Sequence, residues 1–476
     1  MTLLSGAAAA LTVSYLLQPV LTRLYTPEEF GIFDTFIAVL ALFVPFSSAK
    51  FEDAIVLPKK DEEAGHLLTL SLALILAVTT IIAAVLYFVP AVSTSLDASI
   101  GKWVLLLPLA LLLIRTSMLG ELWSIRSKKF GRISGVNVAR TTAANVVKIA
   151  SSSTGMAGLF VGYITGFAIA IFIYAKGIFE AVALSLRNHP LSGMKRVARR
   201  YKDFPRFTLP ASVLGSLVGR LPFLLLLYFF TPEIVGLFGR AFATIMVPLS
   251  VVGTAVASVF LVFAAERRDT PLLASSTKRV FDRLVLFGLF PVITVMIAGP
   301  QLFSVIFGAN WIQAGEFARI IGFWLFLSAV ASPLTRLFDV LERQRLEFLI
   351  AALLFVLQTT ALVIGGRTGS VTTALLYLAI AGSIGRLLQL GILFKISDVN
   401  IGGCIRTVAS YTLRCVPGIV IILASTLQDD FRITLLAAVT GAAIYGALSF
   451  GEILEAFEKR IDTETDPEAD SELTKE

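Results

Sequence analysis

The chain has 476 residues, 56% of them apolar and 15% charged, with a mean hydropathy of +0.84 and a formal net charge of +7. Soluble domains carry nearer a quarter charged residues, so there is too little polar side chain to cover a water-facing surface, and composition points to an integral membrane protein. Two cysteines and two histidines exclude a disulfide framework and argue against a metal centre.

A helix that crosses the hydrocarbon core needs about 20 apolar residues. In chain order the apolar runs predict about fourteen such spans, near 2–22, 32–49, 65–89, 103–121, 134–154, 157–177, 207–230, 236–264, 284–306, 317–337, 347–365, 370–394, 407–426 and 431–450. Span 1 has no basic segment before it and runs at once into span 2, which argues against a cleaved signal. Span 5 is the most polar, with Arg140, Asn145 and Lys148. Cys404 and Cys415 read as buried free thiols. His66 and His189, beside charged or Pro-containing loops, read as solvated rings.

Between spans 1 and 2 stands Thr26-Pro27-Glu28-Glu29-Phe30-Gly31-Ile32-Phe33. It returns 205 residues later, between spans 7 and 8, as Thr231-Pro232-Glu233-Ile234-Val235-Gly236-Leu237-Phe238, with five of eight positions identical. Thr followed by Pro and Glu is also a helix-start signature, so each copy is expected to cap the span that follows it. Six spans is an even number. The repeat therefore predicts two six-helix halves of the same membrane orientation.

Orientation follows from the loops. The gaps after even-numbered spans hold 23 Lys and Arg, and those after odd-numbered spans hold three, or four with Arg432 at the very start of span 14. Basic residues mark the cytoplasmic side, which puts both termini in the cytoplasm and both octets outside. The net charge then belongs to the cytoplasmic leaflet, where anionic lipid attracts each basic residue by roughly 1 kcal/mol, and not to nucleic acid. The predicted organisation is a six-helix bundle over 1–190, a basic cytoplasmic linker over 191–206, a second bundle over 207–395, extra helices 13 and 14 over 396–455, and a disordered acidic tail over 456–476.

Charges inside the spans mark the candidate site, because each costs several kcal/mol unless it is paired, snorkels or faces water. Arg220 lies 13 residues into span 7, and Lys148 lies 14 residues into span 5 on the same helix face as Arg140. Arg386 lies about two turns from the end of span 12, within Gly382-Ser383-Ile384-Gly385-Arg386, where small residues allow close helix approach. Arg115, like Arg140 and Arg336, is near enough to a boundary to snorkel, and it is kept as an outlying member of the set. Arg240, about one turn from the outer end of span 8, reads as a snorkelling residue. Asp34 is the one nearby acid and a candidate for ion coupling. A cavity rich in cations and poor in carboxylates favours an anionic substrate such as a phosphate or pyrophosphate. Trp311, in a short outer loop, reads as an interfacial aromatic. No phosphate-binding loop of the ATPase kind is present and no loop is long enough for a catalytic domain. The chain is therefore read as a transporter and not an enzyme, with no cofactor and no metal.

Leu21-Thr22-Arg23-Leu24-Tyr25-Thr26-Pro27-Glu28-Glu29-Phe30-Gly31 resembles a segment near the start of polysaccharide (O-antigen type) flippases. Lys50-Phe51-Glu52-Asp53-Ala54-Ile55-Val56-Leu57-Pro58 is similar to another of their stretches, with Lys50 where Arg is more usual. The loop Phe307-Gly308 to Trp311 and Ala314 resembles a third. The resemblance implies the multidrug/oligosaccharidyl-lipid/polysaccharide exporter superfamily: two six-helix bundles about a central cavity, often cationic, with helices 13 and 14 added in some members. It also implies a function, movement of polyprenyl-pyrophosphate-linked glycan to the outer leaflet by alternating access, with membrane lipids and other polysaccharide assembly proteins as partners and no nucleic acid. Rival readings are a multidrug antiporter, which needs acids deep in spans 1, 2, 7 or 8, and a peptidoglycan-precursor flippase. A membrane glycan polymerase or ligase is a further rival, against which the lack of a large outer loop counts.

Overall fold

The computed structural model describes residues 2–89, 100–187, 190–266, 268, 270, 272–428 and 431–454. The tail over 456–476, His189 and Arg267 lie outside the described residues. The described residues are almost wholly helical and contain no strand. Every expected span corresponds to a long helix and lends it its number: α1 (Thr2–Leu16, continued as Gln18–Leu24), α2 (Pro27–Phe43), α3 (Asp61–Phe88), α4 (Leu107–Arg126), α5 (Phe130–Ala150), α6 (Ala157–Arg187) and α7 (Leu209–Phe229). They continue with α8 (Pro232–Glu266), α9 (Leu272–Phe307), α10 (Ile312–Leu334), α11 (Gln344–Gly366), α12 (Val371–Ile396), α13 (Ile401–Thr426) and α14 (Phe431–Leu448). Twelve are long and apolar enough to cross a membrane by length and composition. The exceptions are α1, which breaks at Leu17 before Pro19, and α5, which is too polar.

The helices pack as two related groups. In the first, α1 packs on α5, α5 on α6, α4 on α6 and α3 on α4. In the second, α7 packs on α11, α11 on α12, α10 on α12 and α9 on α10. Adding six to each helix number in the first set gives the second, which is the repeat the octets announced. Helices α13 and α14 pair with each other and lean on α9. Between them, Gly418 and Gly441 face one another, and the Tyr445 hydroxyl donates to Leu286 O at 2.8 Å.

The bundles meet chiefly along α2 and α8, with α7 also against α2. The two octets form the closest part of this seam. A methyl group on Gly31 would overlap the Pro232 carbonyl, and one on Gly236 would overlap the Pro27 carbonyl and come within 2.8 Å of Gly31 N. Pro232 and Gly236 are Pro27 and Gly31 displaced by 205 residues, so the contact is reciprocal. Only a residue without Cβ permits it. Thr26 caps α2 as expected, in a capping box with Glu29 whose two bonds are 3.3 and 2.8 Å. Thr231 makes only a 3.5 Å contact to Ile234 N.

At the opposite end of α2, two short turns (Phe46–Ser48 and Phe51–Ala54) are joined through Ala49 and Lys50, both with positive φ. They bring Glu52 inward to an ion pair with Arg115, and Arg115 Nη2 also donates to Ser48 Oγ at 2.7 Å. Both charged side chains are 1% exposed. A buried cation is tolerable when so paired, and this pairing, not snorkelling, is what holds Arg115. His66 is likewise buried and not solvated: its Nδ1 is 2.8 Å from Ser185 Oγ, and its ring lies against Gly193 of the linker helix Pro190–Arg200. Cys404 and Cys415 are buried free thiols.

Candidate functional site

Below the octets, the first bundle contributes α5. Its polar sequence would be costly against lipid, and it packs instead on α1 and α6. Gly162 and Gly166 let α6 come close: a methyl group on Gly166 would sit 2.9 Å from Arg140 O, and one on Gly162 would strike the Lys148 stem. The end of α5 is tied to the octet region by the Tyr25 hydroxyl, which donates to Lys148 O at 2.5 Å. This arrangement points Arg140 over the Phe167 ring, 4.9 Å from its centroid, and places Lys148 Nζ 5.1 Å from the centroid of Phe33. Both cations are half-buried.

The second bundle contributes Arg220 on α7 and Arg240 on α8. Arg220, also half-buried, makes no hydrogen bond or ion pair among the described residues. Arg240 is 6% exposed. Its guanidinium lies 4.3 Å from the Phe30 centroid and 5.5 Å from that of Trp311, and it donates to Gln18 Oε1 on α1.

One acid faces this set. The Asp34 carboxylate lies against Gly239, which lacks the side chain that would fill its place. Arg240 and Arg220 of the second bundle and Lys148 of the first are the cations whose charge it feels. Lys148 in turn feels Asp34, Arg240 and Arg140, and Tyr163 feels Arg140 and Arg220. Arg140, Lys148, Arg220, Arg240 and Asp34 thus form one electrostatic neighbourhood drawn from both bundles: four cations to one carboxylate. Guanidinium and ammonium groups without carboxylate partners suit a phosphate or diphosphate, through charge-assisted hydrogen bonds.

Two of the expected residues stand apart. Arg386 donates from Nε to Ser328 Oγ at 3.1 Å and from Nη1 to Gln389 Oε1 at 2.6 Å, inside the second bundle between α10 and α12. Arg115 is engaged with Glu52 and Ser48, so the structure does not bring it to the cluster. Arg240 is the member that sequence reading missed. A terminal position made it look free to snorkel, yet it is enclosed by aromatic rings and a glutamine. Gln18, an amide about one turn from the outer end of span 1, was the available signal. Trp311 is also no interfacial aromatic: it is fully buried, and its Nε1 donates to Thr22 O at 2.8 Å.

The model of a polysaccharide biosynthesis protein family matches residues 20–316 of the chain. Comparison with curated protein sequences gives no match. Among solved structures the chain is similar to the lipid II flippase MurJ in an inward closed conformation, with 13% identity and a TM-score of 0.75, covering 95% of this chain and 100% of that one. It is also similar to an inward-facing multidrug resistance MATE family transporter of the MOP superfamily, with 16% identity and a TM-score of 0.58 over 82% of this chain and 96% of that one. A third similarity, with 16% identity and a TM-score of 0.55 over 83% and 95%, is to a MOP superfamily transporter from Pyrococcus furiosus whose binding pocket is described as of reverse polarity. At such identities the likeness is one of fold, and the fold is that of multi-pass membrane transporters and flippases.

Proposed function

The chain belongs to the polysaccharide biosynthesis protein family, and from that premise we propose that it is a flippase for lipid-linked oligosaccharide. It moves a polyprenyl-pyrophosphate-linked glycan from the inner to the outer leaflet of the cytoplasmic membrane, for surface polysaccharide assembly, with both termini in the cytoplasm. The observation that carries this reading is the set Arg140, Lys148 and Arg220: cations from both bundles, at membrane depth, without a carboxylate bonded to any of them. A diphosphate brings the negative charge they lack, while the glycan occupies the space between the bundles and the prenyl chain stays in lipid.

Transport then follows from the seam. The bundles touch most closely at the octet end, the side expected to face outward, which matches a state that receives substrate from the cytoplasm. Export requires the α2–α8 contact to part and the opposite ends to approach, in rigid-body alternation of two bundles about a fixed site.

Arg220→Ala should abolish surface polysaccharide in a strain that relies on this gene, while immunoblotting shows the protein at normal level in the membrane. Normal surface polysaccharide in that strain would overturn the reading. Rescue of a strain depleted of its peptidoglycan-precursor flippase would redirect it to that substrate, and extrusion of cationic dyes would redirect it to the antiporters.

A further inference from the structure

Asp34 occupies a position with no counterpart. The register that relates the octets pairs Asp34 with Gly239, 205 residues on, and the two lie against each other where the bundles meet. An acid on one half and an empty place on the other leave a single carboxylate close to the pseudo-two-fold axis. Cations reach it from both sides: Lys148 from its own bundle, Arg220 and Arg240 from the other. Among the described residues it forms no direct salt bridge or hydrogen bond with any of them, so its attraction acts through space.

An empty site with four cations and no anion would push its own walls apart, because repulsion between like charges is poorly screened away from water. The position of Asp34 offsets that repulsion, and it does so across the seam, since it lies against Gly239 of α8 and two of its three cationic neighbours are on α7 and α8. A diphosphate entering the same field makes Asp34 redundant and then repulsive, as two anions now share the cations. We infer that Asp34 is a resident counter-anion, which holds the two bundles together electrostatically in the empty protein and is displaced from that role by the phosphates of the substrate. This rests on the flippase reading above. It adds that the carboxylate competes with substrate and links occupancy of the site to loosening of the α2–α8 seam.

The consequence is unusual for a residue in a binding site: removing its charge should tighten binding. The test is isothermal titration calorimetry of inorganic pyrophosphate and of farnesyl diphosphate into the full-length protein in detergent, for the wild type, Asp34→Asn and Arg220→Ala. Loss of one negative charge a few ångströms from a multiply charged ligand, at intermediate dielectric, is worth about tenfold in affinity. Asp34→Asn should therefore bind pyrophosphate about tenfold more tightly than the wild type, with a smaller gain for inorganic phosphate, and Asp34→Glu should return affinity towards the wild-type value. Should Asp34→Asn not fold, Asp34→Ser carries the same expectation. Affinity that is unchanged or weaker in the uncharged variant overturns the inference. If the wild type binds and Arg220→Ala does not, that failure leaves the flippase reading standing. If the wild type binds neither diphosphate, the reading falls and the inference with it.

Discussion

Helices α5 and α11 hold equivalent places in the two bundles, each packed between the first and last helices of its half, yet they are chemically unlike. Along its length α5 carries Arg132, Asn137, Arg140, Asn145 and Lys148, whereas α11 keeps Arg345 and Glu347 near its start and is then apolar but for Gln358 and a Thr pair. The second half places its cations on α7 and α8 instead. Backbone architecture was thus duplicated while the charges were not. The difference teaches that a pseudo-symmetric scaffold can enclose an asymmetric cluster: the symmetry makes the seam, and the asymmetry gives the candidate site its excess of cations.

The comparison is open to attack at three points. The severest is the seam, where the halves should be interchangeable. Gly31→Val and Gly236→Val each force a side chain into a backbone carbonyl, and both should lose export and purify with poor yield. A large effect of one and none of the other would mean that the contact is not reciprocal. Next is the buried pair of the first half. Glu52→Gln leaves Arg115 buried without its counter-charge and should cost about 3–5 kcal/mol of stability, read as a lower unfolding temperature, while pyrophosphate affinity stays within about twofold, a difference below about 0.5 kcal/mol. A loss of affinity would return Arg115 to the site. Smallest in free energy is the contrast between the helices themselves. Lys148→Met on α5 should weaken pyrophosphate binding by about tenfold, or about 1.4 kcal/mol, and Gln358→Leu on α11 should leave it unchanged. Equal losses would erase the distinction between the halves.

Much of the architecture was legible in the sequence alone. The octet spacing announced the six-helix period, and the lopsided Lys and Arg counts set an expected orientation. Long apolar runs located all fourteen numbered helices, including the polar α5, though not the linker helix Pro190–Arg200. The site was legible in part, because depth in a span identifies a charge that needs a reason. Lys148 and Arg220 were found that way, Arg140 by sharing a helix face with Lys148, and the three do share a neighbourhood. Depth fails in two physical situations. A charge deep in sequence can be satisfied locally, as Arg386 is by Ser328 and Gln389, and then has no claim on the site. A charge near a helix end can be walled in by residues from remote segments, as Arg240 is by Phe30, Trp311 and Gln18. Arg115 shows the first situation in another form, since the carboxylate that claims it arrives on a turn that two positive-φ residues create. Such partnerships are tertiary, and no periodicity encodes them.

The mutual fit of Gly31 and Gly236 constrains what each octet can hold. It is the intrachain version of an isologous dimer interface, in which one patch recognises its own copy. In such an arrangement each octet is the template against which the other is held, so a change in one must be accommodated by the other or it spoils both. Elsewhere the halves differ, as α5 and α11 do, and the short repeated string stands where the two copies touch.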